Sequence, residues 1–197
     1  GILSVKDTGL GGIVNVTWTE GSDESTITYT IYYGTGYAFS GSKITGITGT
    51  YYLVEGLENG KEYKFAVRAV DAYSNEDGNT VQLSAVPTDR TPPVFSGIAS
   101  AENTGIGNSV LVTWEEAFDY SPPVTYTLYY GVGSAFGGTR IEGITSTSYL
   151  LEGLTNNVEY SFAVRAIDVY GNEDGNVVQS YACLLYTSDA ADEGLGV

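Results

Sequence analysis

The chain has no histidine, no methionine and a single cysteine, Cys183. Without histidine it lacks the side chain that proteins use most often as a general base near neutral pH and as a metal ligand. One cysteine cannot form a disulfide within the chain, and a domain of this size folds without one if its core is large enough. Because the usual nucleophile and base sets are missing, we expect no enzyme, no catalytic residues and no cofactor.

Basic residues are also scarce, since 8 Lys and Arg stand against 24 Asp and Glu and the formal net charge is −16. Nucleic-acid binding needs a basic surface, so we expect no nucleic-acid partner. The charge suits an acidic protein whose copies repel one another, and we expect a monomer. The sequence has no apolar run long enough for a bilayer, so we expect no membrane insertion. It begins at Gly1 and shows no signal peptide, which we interpret as a fragment of a longer protein.

What the chain does contain is an internal repeat. Residues 65–79 recur as residues 162–176 with all but three positions identical, and the match extends from Gly1 against Gly97 to Ala85 against Ala182. Self-similarity at a long fixed period indicates repeated structural units. In both copies apolar residues alternate and then give way to a turn-rich run, which predicts a strand that enters a hairpin.

Alternating apolar residues predict further strands in each copy and a separate core for each. In the first copy the predicted strands include Val14–Trp18, Ile27–Tyr33, Thr50–Val54 and a strand that begins at Tyr63. The predicted core residues of the two copies are Trp18, Tyr33, Leu57, Tyr63, Phe65, Val67, Trp114, Tyr130, Leu154, Tyr160, Phe162 and Val164. One residue is inserted in the second copy, in the loop that holds Asp119 and Pro122-Pro123, and loops tolerate such changes.

Two segments, one rich in glycine and one rich in acidic residues, raise the question of a dinucleotide site and of a calcium site. Gly34-Thr35-Gly36 lacks the third glycine of a dinucleotide-binding loop, because that position is Phe39, so we interpret it as a strand connection. The segment Asn75–Asn79 offers oxygen ligands for calcium, but it does not fit the EF-hand spacing. We favour a turn in which Asp71 and Asn75 bond local backbone amides, and calcium stays an open alternative.

The spacing of the aromatic residues resembles that of fibronectin type III domains. Trp18 lies in an early strand, Tyr33 ends a middle strand, and Leu57 precedes Tyr63 by six residues. The second copy repeats this pattern with Trp114, Tyr130, Leu154 and Tyr160. The resemblance implies an all-β fold of two tandem immunoglobulin-like (fibronectin type III) β-sandwiches. It also implies that Tyr63 and Tyr160 hydrogen-bond back across a corner of the sandwich.

The resemblance implies adhesion or spacing rather than chemistry. The Asp-x-Tyr-x-Asn-Glu-Asp run and the Thr-Pro-Pro segment are similar to bacterial extracellular members, and the loop before the last strand holds no Arg-Gly-Asp. We therefore expect a non-catalytic spacer or adhesion module of a larger secreted or cell-surface protein, with a protein or polysaccharide partner. The alternatives are a calcium-stiffened adhesin and a glycan-binding accessory module of a carbohydrate-active enzyme.

Outward-facing aromatic residues provide a candidate glycan surface. Tyr32 and Tyr129 are predicted to face outward beside Arg68 and Arg165 on the neighbouring strand. Such rings can stack on sugars, but they can equally pack against the arginines as cation–π pairs, and we favour the second interpretation because it needs no ligand.

The boundaries follow from the repeat. We expect an N-terminally truncated domain at residues 1–88, a proline-containing linker at 89–93 and a second domain at 94–182. The repeat match ends there, and residues 183–197 resemble translated adapter sequence from a sequencing library, so we expect that tail to be foreign to the repeat.

Overall fold

The computed structural model describes residues 1–184, so the adapter-like segment lies outside the described residues except for Cys183 and Leu184. The chain divides into two compact units, Gly1–Thr91 and a second that begins at Pro92. Within residues 1–184, no helix has the length and apolar character needed to cross a membrane.

The first unit is a sandwich of two antiparallel sheets. One sheet has the strand order β1-β2-β5 and the other the order β4-β3-β6-β7. Its strands are β1 (Ile2–Asp7), β2 (Val14–Trp18), β3 (Thr28–Gly34), β4 (Ser42–Ile47), β5 (Tyr51–Val54), β6 (Tyr63–Val70) and β7 (Leu83–Ala85), with a 3-10 helix at Ala38–Ser40.

The second unit repeats this topology. Its sheets have the orders β12-β9-β8 and β11-β10-β13-β14, so the predicted all-β fold of two tandem sandwiches is confirmed. The strands are β8 (Ile98–Asn103), β9 (Val110–Trp114), β10 (Thr125–Val132), β11 (Thr139–Ile144), β12 (Ser148–Leu151), β13 (Glu159–Ile167) and β14 (Ser180–Cys183).

Each unit buries a core between its two sheets. In β2, Val14, Val16 and Trp18 are buried while the residues between them are half-buried, because successive side chains of a strand point to opposite faces. Of the predicted core residues, the buried ones are Trp18, Leu57, Phe65, Val67, Trp114, Leu154, Phe162 and Val164. Those that are half-buried and pack against the core are Tyr33, Tyr63, Tyr130 and Tyr160.

The half-buried tyrosines at the start of β6 and β13 hold a corner of each sandwich. The Tyr63 hydroxyl oxygen accepts a hydrogen bond from the Glu58 backbone N–H at 3.2 Å, and Tyr160 accepts one from the Thr155 N–H at 3.3 Å. These are the bonds that the sequence resemblance implied, and they fix the turn that leads into the central strand of the larger sheet.

Strands β4 and β11 were not predicted from the sequence. Both are edge strands with mostly exposed side chains, so they carry little of the apolar alternation that indicates a strand. Gly46 and Gly143, which have φ of +76° and +73°, lie within these strands where the register shifts. Pairing with β3 and β10 forms these strands, and the register shifts once in each pairing.

In the glycine-rich connection before β4, the backbone at Gly41 runs very close to the backbone at the end of β3. A Cβ on Gly41 would lie 2.1 Å from the Tyr33 carbonyl oxygen, and a Cβ on Gly138 would lie 2.1 Å from the Tyr130 oxygen. The glycines therefore serve the strand connection, where only a residue without a side chain fits.

Residues that follow β7 bind to the first unit. The Asp7 carboxylate accepts hydrogen bonds from the Thr88 N–H and hydroxyl and from the Arg90 guanidinium. Burial alone raises the pKa of Asp7, but the bonds from Thr88 and from the Gly9 N–H, with the charge of Arg90, hold the pKa below its usual value. In the second unit, Leu184 is buried in the core.

We expect Trp18→Ala to lower the free energy of unfolding of the first unit by about 3–5 kcal/mol, the usual range for a large buried aromatic side chain. Trp18 is only 3% exposed and contacts Tyr29 with ring centroids 5.4 Å apart. Urea denaturation followed by circular dichroism measures the loss. Tyr73→Ala, which removes an aromatic ring that is 83% exposed, is the control. A loss near zero for Trp18→Ala shows that the side chain is not part of the core.

We expect Gly41→Ala to destabilise the first unit by about 1–3 kcal/mol, because the new methyl group meets a backbone oxygen that cannot move away cheaply. Gly36→Ala, five residues earlier, is the matched control, since a Cβ there has no atom within 4 Å and the residue does not have positive φ. Its unfolding free energy should change by no more than about 0.5 kcal/mol. Equal thermal stability of the two variants contradicts the close approach.

Candidate functional site

The most similar stretch of the two repeats forms the same loop twice. After β6, Asp71 Oδ1 accepts the N–H groups of Tyr73 and Asn75 at 2.8 Å each, and the Asn75 amide donates to Asp71 Oδ2 at 2.7 Å. The Asn75 side chain and backbone, followed by the Tyr73 N–H, hold the pKa of Asp71 below its usual value. In the second unit, Asp168 accepts from Tyr170 and Asn172 in the same way.

A second carboxylate in each loop also binds backbone and amide groups nearby. Asp77 accepts the N–H groups of Ala69 and Asn79. Asp174, which is 6% exposed, accepts the Ala166 N–H at 3.0 Å and the Asn176 amide at 2.6 Å. A buried carboxylate needs such donors because water no longer solvates it. These acidic groups therefore hold the loop, and a cation at this place has to compete with the amide donors.

The predicted surface residues Tyr32 and Arg68 come together in the first unit, in what we call the arginine cluster: Tyr32, Phe39, Arg68, Glu76 and Asn79. The Arg68 guanidinium lies 4.2 Å from the Phe39 ring centroid and 5.7 Å from that of Tyr32. It donates to Glu76 Oε2 and to the Asn79 carbonyl, both at 2.9 Å. The Tyr32 hydroxyl donates to Glu76 Oε1 at 2.6 Å.

The second unit holds an equivalent arginine cluster, formed by Tyr129, Phe136, Arg165, Glu173 and Asn176. The Arg165 guanidinium lies 4.6 Å from the Phe136 ring centroid and 5.7 Å from that of Tyr129. It donates to Glu173 at 3.0 Å and to the Asn176 carbonyl at 3.1 Å, and the Tyr129 hydroxyl donates to Glu173 at 2.8 Å.

Sequence reasoning missed the phenylalanine and glutamate of both arginine clusters. Their recurrence at matching positions of the two repeats was a signal that could have found them, because a polar and an aromatic residue kept together with the same arginine suggest one cluster.

The tyrosines of both arginine clusters have raised pKa values. The hydrogen bond to Glu76, and after it burial, raises the pKa of Tyr32. Burial, and after it the hydrogen bond to Glu173, raises the pKa of Tyr129. Both phenols therefore stay protonated at neutral pH and donate to their glutamates.

A concave site lies at the β9–β10 loop of the second unit, and we call it the loop pocket. Its volume is about 620 Å³, within the range of small-molecule sites. Phe118 is 57% exposed, and its ring packs edge-on against Tyr120 with centroids 5.1 Å apart. The lining consists of Glu116, Ala117, Phe118, Asp119, Pro122, Pro123, Val124, Tyr126, Thr145 and Thr147.

Backbone contacts fix the loop pocket. Phe118 and Val94 exchange backbone hydrogen bonds of 3.0 and 2.8 Å. The Tyr126 hydroxyl oxygen accepts the Ala117 N–H at 2.9 Å, and Asp119 accepts the Ser121 N–H at 2.7 Å. The loop is thus held at both ends and at its turn, so the backbone that carries the exposed Phe118 ring has a defined position.

The first unit has a different loop at the equivalent place. Ser22 and Glu24 stand where the second unit has Phe118 and Tyr120. The hollow beside this loop, of about 330 Å³, is lined on its other side by residues such as Asp71 and Glu76 rather than by the equivalents of Thr145 and Thr147. Aromatic residues of the first unit are exposed elsewhere, on the edge strand β5, where Tyr51 and Tyr52 line a groove of about 610 Å³.

Two bacterial proteins are similar to this chain in sequence. Exoglucanase B of Cellulomonas fimi is 32% identical over 165 residues, which are 80% of this chain and 14% of that protein. Chitinase A1 of Niallia circulans is 30% identical over 166 residues, which are 81% of this chain and 22% of that protein. The chain therefore spans less than a quarter of the length of these bacterial relatives.

The fold is similar to that of a solved segment of two fibronectin type III domains from chicken tenascin. The TM-score is 0.50 at 18% identity, with 93% of this chain and 97% of that chain covered, and this similarity concerns the fold alone. The sequence profile described as "Fibronectin type III domain" matches residues 3–85 and residues 100–180. The chain therefore belongs to the fibronectin type III domain family and carries two copies of the domain.

Proposed function

We propose that this chain is a non-catalytic part of a larger extracellular bacterial protein that degrades polysaccharide, and that its two domains act there as a spacer. The named relatives support the proposal, since an exoglucanase and a chitinase act on a glucan and on chitin, and the chain matches only 14% and 22% of their lengths. The fold alone does not decide between functions, because fibronectin-like sandwiches occur with many of them.

The observation that carries the spacer proposal is that each domain has a complete core of its own. In the first domain Trp18 and Phe65 lie in one buried cluster, and in the second domain Trp114 and Phe162 lie in another. A unit that buries its own core can fold by itself and can be added between other domains without depending on them. Spacing requires this property and requires no reactive group.

The carboxylates of the repeated loops support a non-catalytic role. Asp71 and Asp77 accept bonds from amide donors of their own loop, and Glu76 binds the Arg68 guanidinium and the Tyr32 hydroxyl. A glycoside hydrolase needs a pair of carboxyl groups that face a common substrate. In this loop Asp71 and Asp77 instead hold the backbone, and Glu76 holds two side chains of the neighbouring strands.

Glycan binding is the second candidate function, and a specific observation favours it. The loop pocket of the second domain presents an exposed ring beside threonine and carboxylate side chains. The arginine clusters are weaker candidates for sugar binding, because the guanidinium, glutamate and phenol groups are already bonded to one another. We therefore propose that the arginine clusters stabilise the domains and that glycan binding takes place in the loop pocket.

Replacement of the arginine in a cluster tests the structural assignment. We expect Arg165→Met to lower the unfolding free energy of the second domain by about 1–3 kcal/mol, because it removes a bond to a charged partner and a cation–π contact at a partly buried site. Arg165 and Glu173 are only 24% and 31% exposed. Chemical denaturation of the variant measures the loss.

Arg140→Met is the matched control, because it removes an arginine of the same domain whose salt bridge with Glu142 is exposed, at 65% and 59%. Surface ion pairs contribute about 0–1 kcal/mol, so this change should have little effect. If the two variants are equally stable, the arginine cluster does not hold the domain. If Arg165→Met keeps its stability and loses glycan binding, the cluster is a binding site.

A chimaera tests the spacer proposal directly. The segment of the Cellulomonas fimi exoglucanase that matches this chain is replaced by residues 1–184, and a second variant lacks the segment. We expect the chimaera to hydrolyse insoluble glucan at a rate close to that of the intact enzyme, and the deletion variant to be slower, while both hydrolyse a soluble substrate equally. Release of sugar by the isolated chain, or a chimaera as slow as the deletion variant, contradicts the proposal.

A further inference from the structure

We propose that the loop pocket of the second domain binds an uncharged glucan or chitin chain, with the ring of Phe118 as its stacking platform. This inference rests on the proposed function, because the polysaccharide class comes from the setting proposed there. The position of the site comes from the structure alone, and it differs from the tyrosine–arginine surface that the sequence suggested.

The first argument is the preformed shape of the pocket. The backbone N–H and C=O of Phe118 both form hydrogen bonds with the backbone of Val94, and the Ala117 N–H donates to the buried hydroxyl of Tyr126. The edge-on contact with Tyr120 supports the Phe118 ring from one side. A ligand that binds here need not order the loop, so little affinity is lost to conformational entropy.

The second argument is the chemistry of the lining. A sugar ring presents a C–H face that packs on an aromatic ring and a rim of hydroxyl groups that form hydrogen bonds. The loop pocket offers the exposed ring of Phe118, the carboxylate of Glu116 as an acceptor, and the hydroxyls of Thr145 and Thr147. An apolar surface with a few convergent polar groups is the usual composition of a small-ligand site.

The third argument is charge. The ionisable lining residues Glu116 and Asp119 are acidic, the lining includes no lysine or arginine, and the whole chain carries a formal charge of −16. An anionic polysaccharide, a phosphate or a nucleic acid is therefore repelled from this site. The lining thus selects an uncharged glycan over an anionic one.

The two domains differ at this place although they match closely elsewhere. The first domain carries Ser22 and Glu24 instead of Phe118 and Tyr120, so it has no equivalent aromatic platform in this loop. The inference therefore predicts one glycan bound per chain, in the second domain. Binding through both domains would instead point to the arginine clusters, which occur in each.

The test is isothermal titration calorimetry of residues 1–184 with a soluble glucose hexasaccharide (cellohexaose) and an N-acetylglucosamine hexasaccharide (chitohexaose). We expect one site per chain for at least one of the two sugars. Phe118→Ser, which introduces the residue of the first domain, should weaken the affinity about tenfold or more, as for a central aromatic contact. Phe118→Tyr keeps the ring and should retain binding.

Tyr170→Ala is the matched control, because it removes a ring of the same domain that is 54% exposed and lies outside the pocket lining. Its affinity and its melting temperature should equal those of the unchanged chain. Thermal unfolding of Phe118→Ser confirms that the variant is folded, as expected for a side chain that is more than half exposed.

Several results overturn the inference. The first is that neither sugar binds at millimolar concentration, and the second is that two sites per chain are found. The inference is also wrong if Tyr170→Ala weakens the sugar affinity as much as Phe118→Ser does. The same holds if Tyr51→Ser, at the β5 groove, weakens the affinity and Phe118→Ser does not. Tighter binding of polygalacturonate or of an oligolysine peptide than of both sugars also overturns it. The chimaera with Phe118→Ser separates the proposals, because a spacer without a glycan site still restores hydrolysis of insoluble glucan.

Discussion

The burial of one face of each sheet against the other is the constraint on which the rest of this protein depends. Residues of β2 and β6 such as Val16, Trp18 and Phe65 are almost fully buried between the sheets, and burial of apolar area is the main favourable term in folding. Because side chains of a strand alternate, this requirement assigns every second residue to the core and leaves the others outside. The arginine cluster, with Tyr32 and Arg68, is built on that outer face, where the partly buried charge is satisfied by a glutamate and a carbonyl rather than by water alone.

The sequence was sufficient for those features that depend on local pattern. Alternation and the repeat predicted the strands and their inner residues, and the resemblance to fibronectin type III domains implied the sandwich. The Asp71 turn followed from the tendency of aspartate to bond amides two and four residues later. Strand β4 was not predictable in this way, because its residues Ser42–Ile47 are mostly exposed and the strand exists through pairing with β3. The last strand of the first domain, β7, begins only at Leu83, and the side chain of the preceding Gln82 accepts the Ala38 N–H at the start of the 3-10 helix, a contact that no local pattern indicates.

The candidate sites, too, could be predicted from the sequence only as far as local pattern reaches. Tyr32 and Arg68 were placed side by side by register, but the register does not reveal that Glu76, which lies beyond the turn, binds both of them. The pairing across the turn brings it back, through the bridge between Val70 and Glu76. The loop pocket was still harder to predict from the sequence, because it depends on an isolated bridge between Phe118 and the distant residue Val94 and includes Thr145 and Thr147 of another loop. Contacts between segments far apart in sequence have no local pattern from which to derive them.

The comparison of the two domains gives a physical reason to look for recognition in the loops. Positions that serve the core or the arginine cluster are the same or similar in both, because a change there leaves a cavity or an unpaired buried group. The β9–β10 loop is free of that requirement, since its backbone is held by Tyr126 and Val94 whatever ring it carries. Exposing Phe118 to water contributes nothing to the fold, whereas the same ring can contribute to binding when it covers an apolar ligand surface. A tandem pair can thus keep one domain for its structure and use the second for contact, and the difference between Ser22 and Phe118 is the simplest change that separates the two roles.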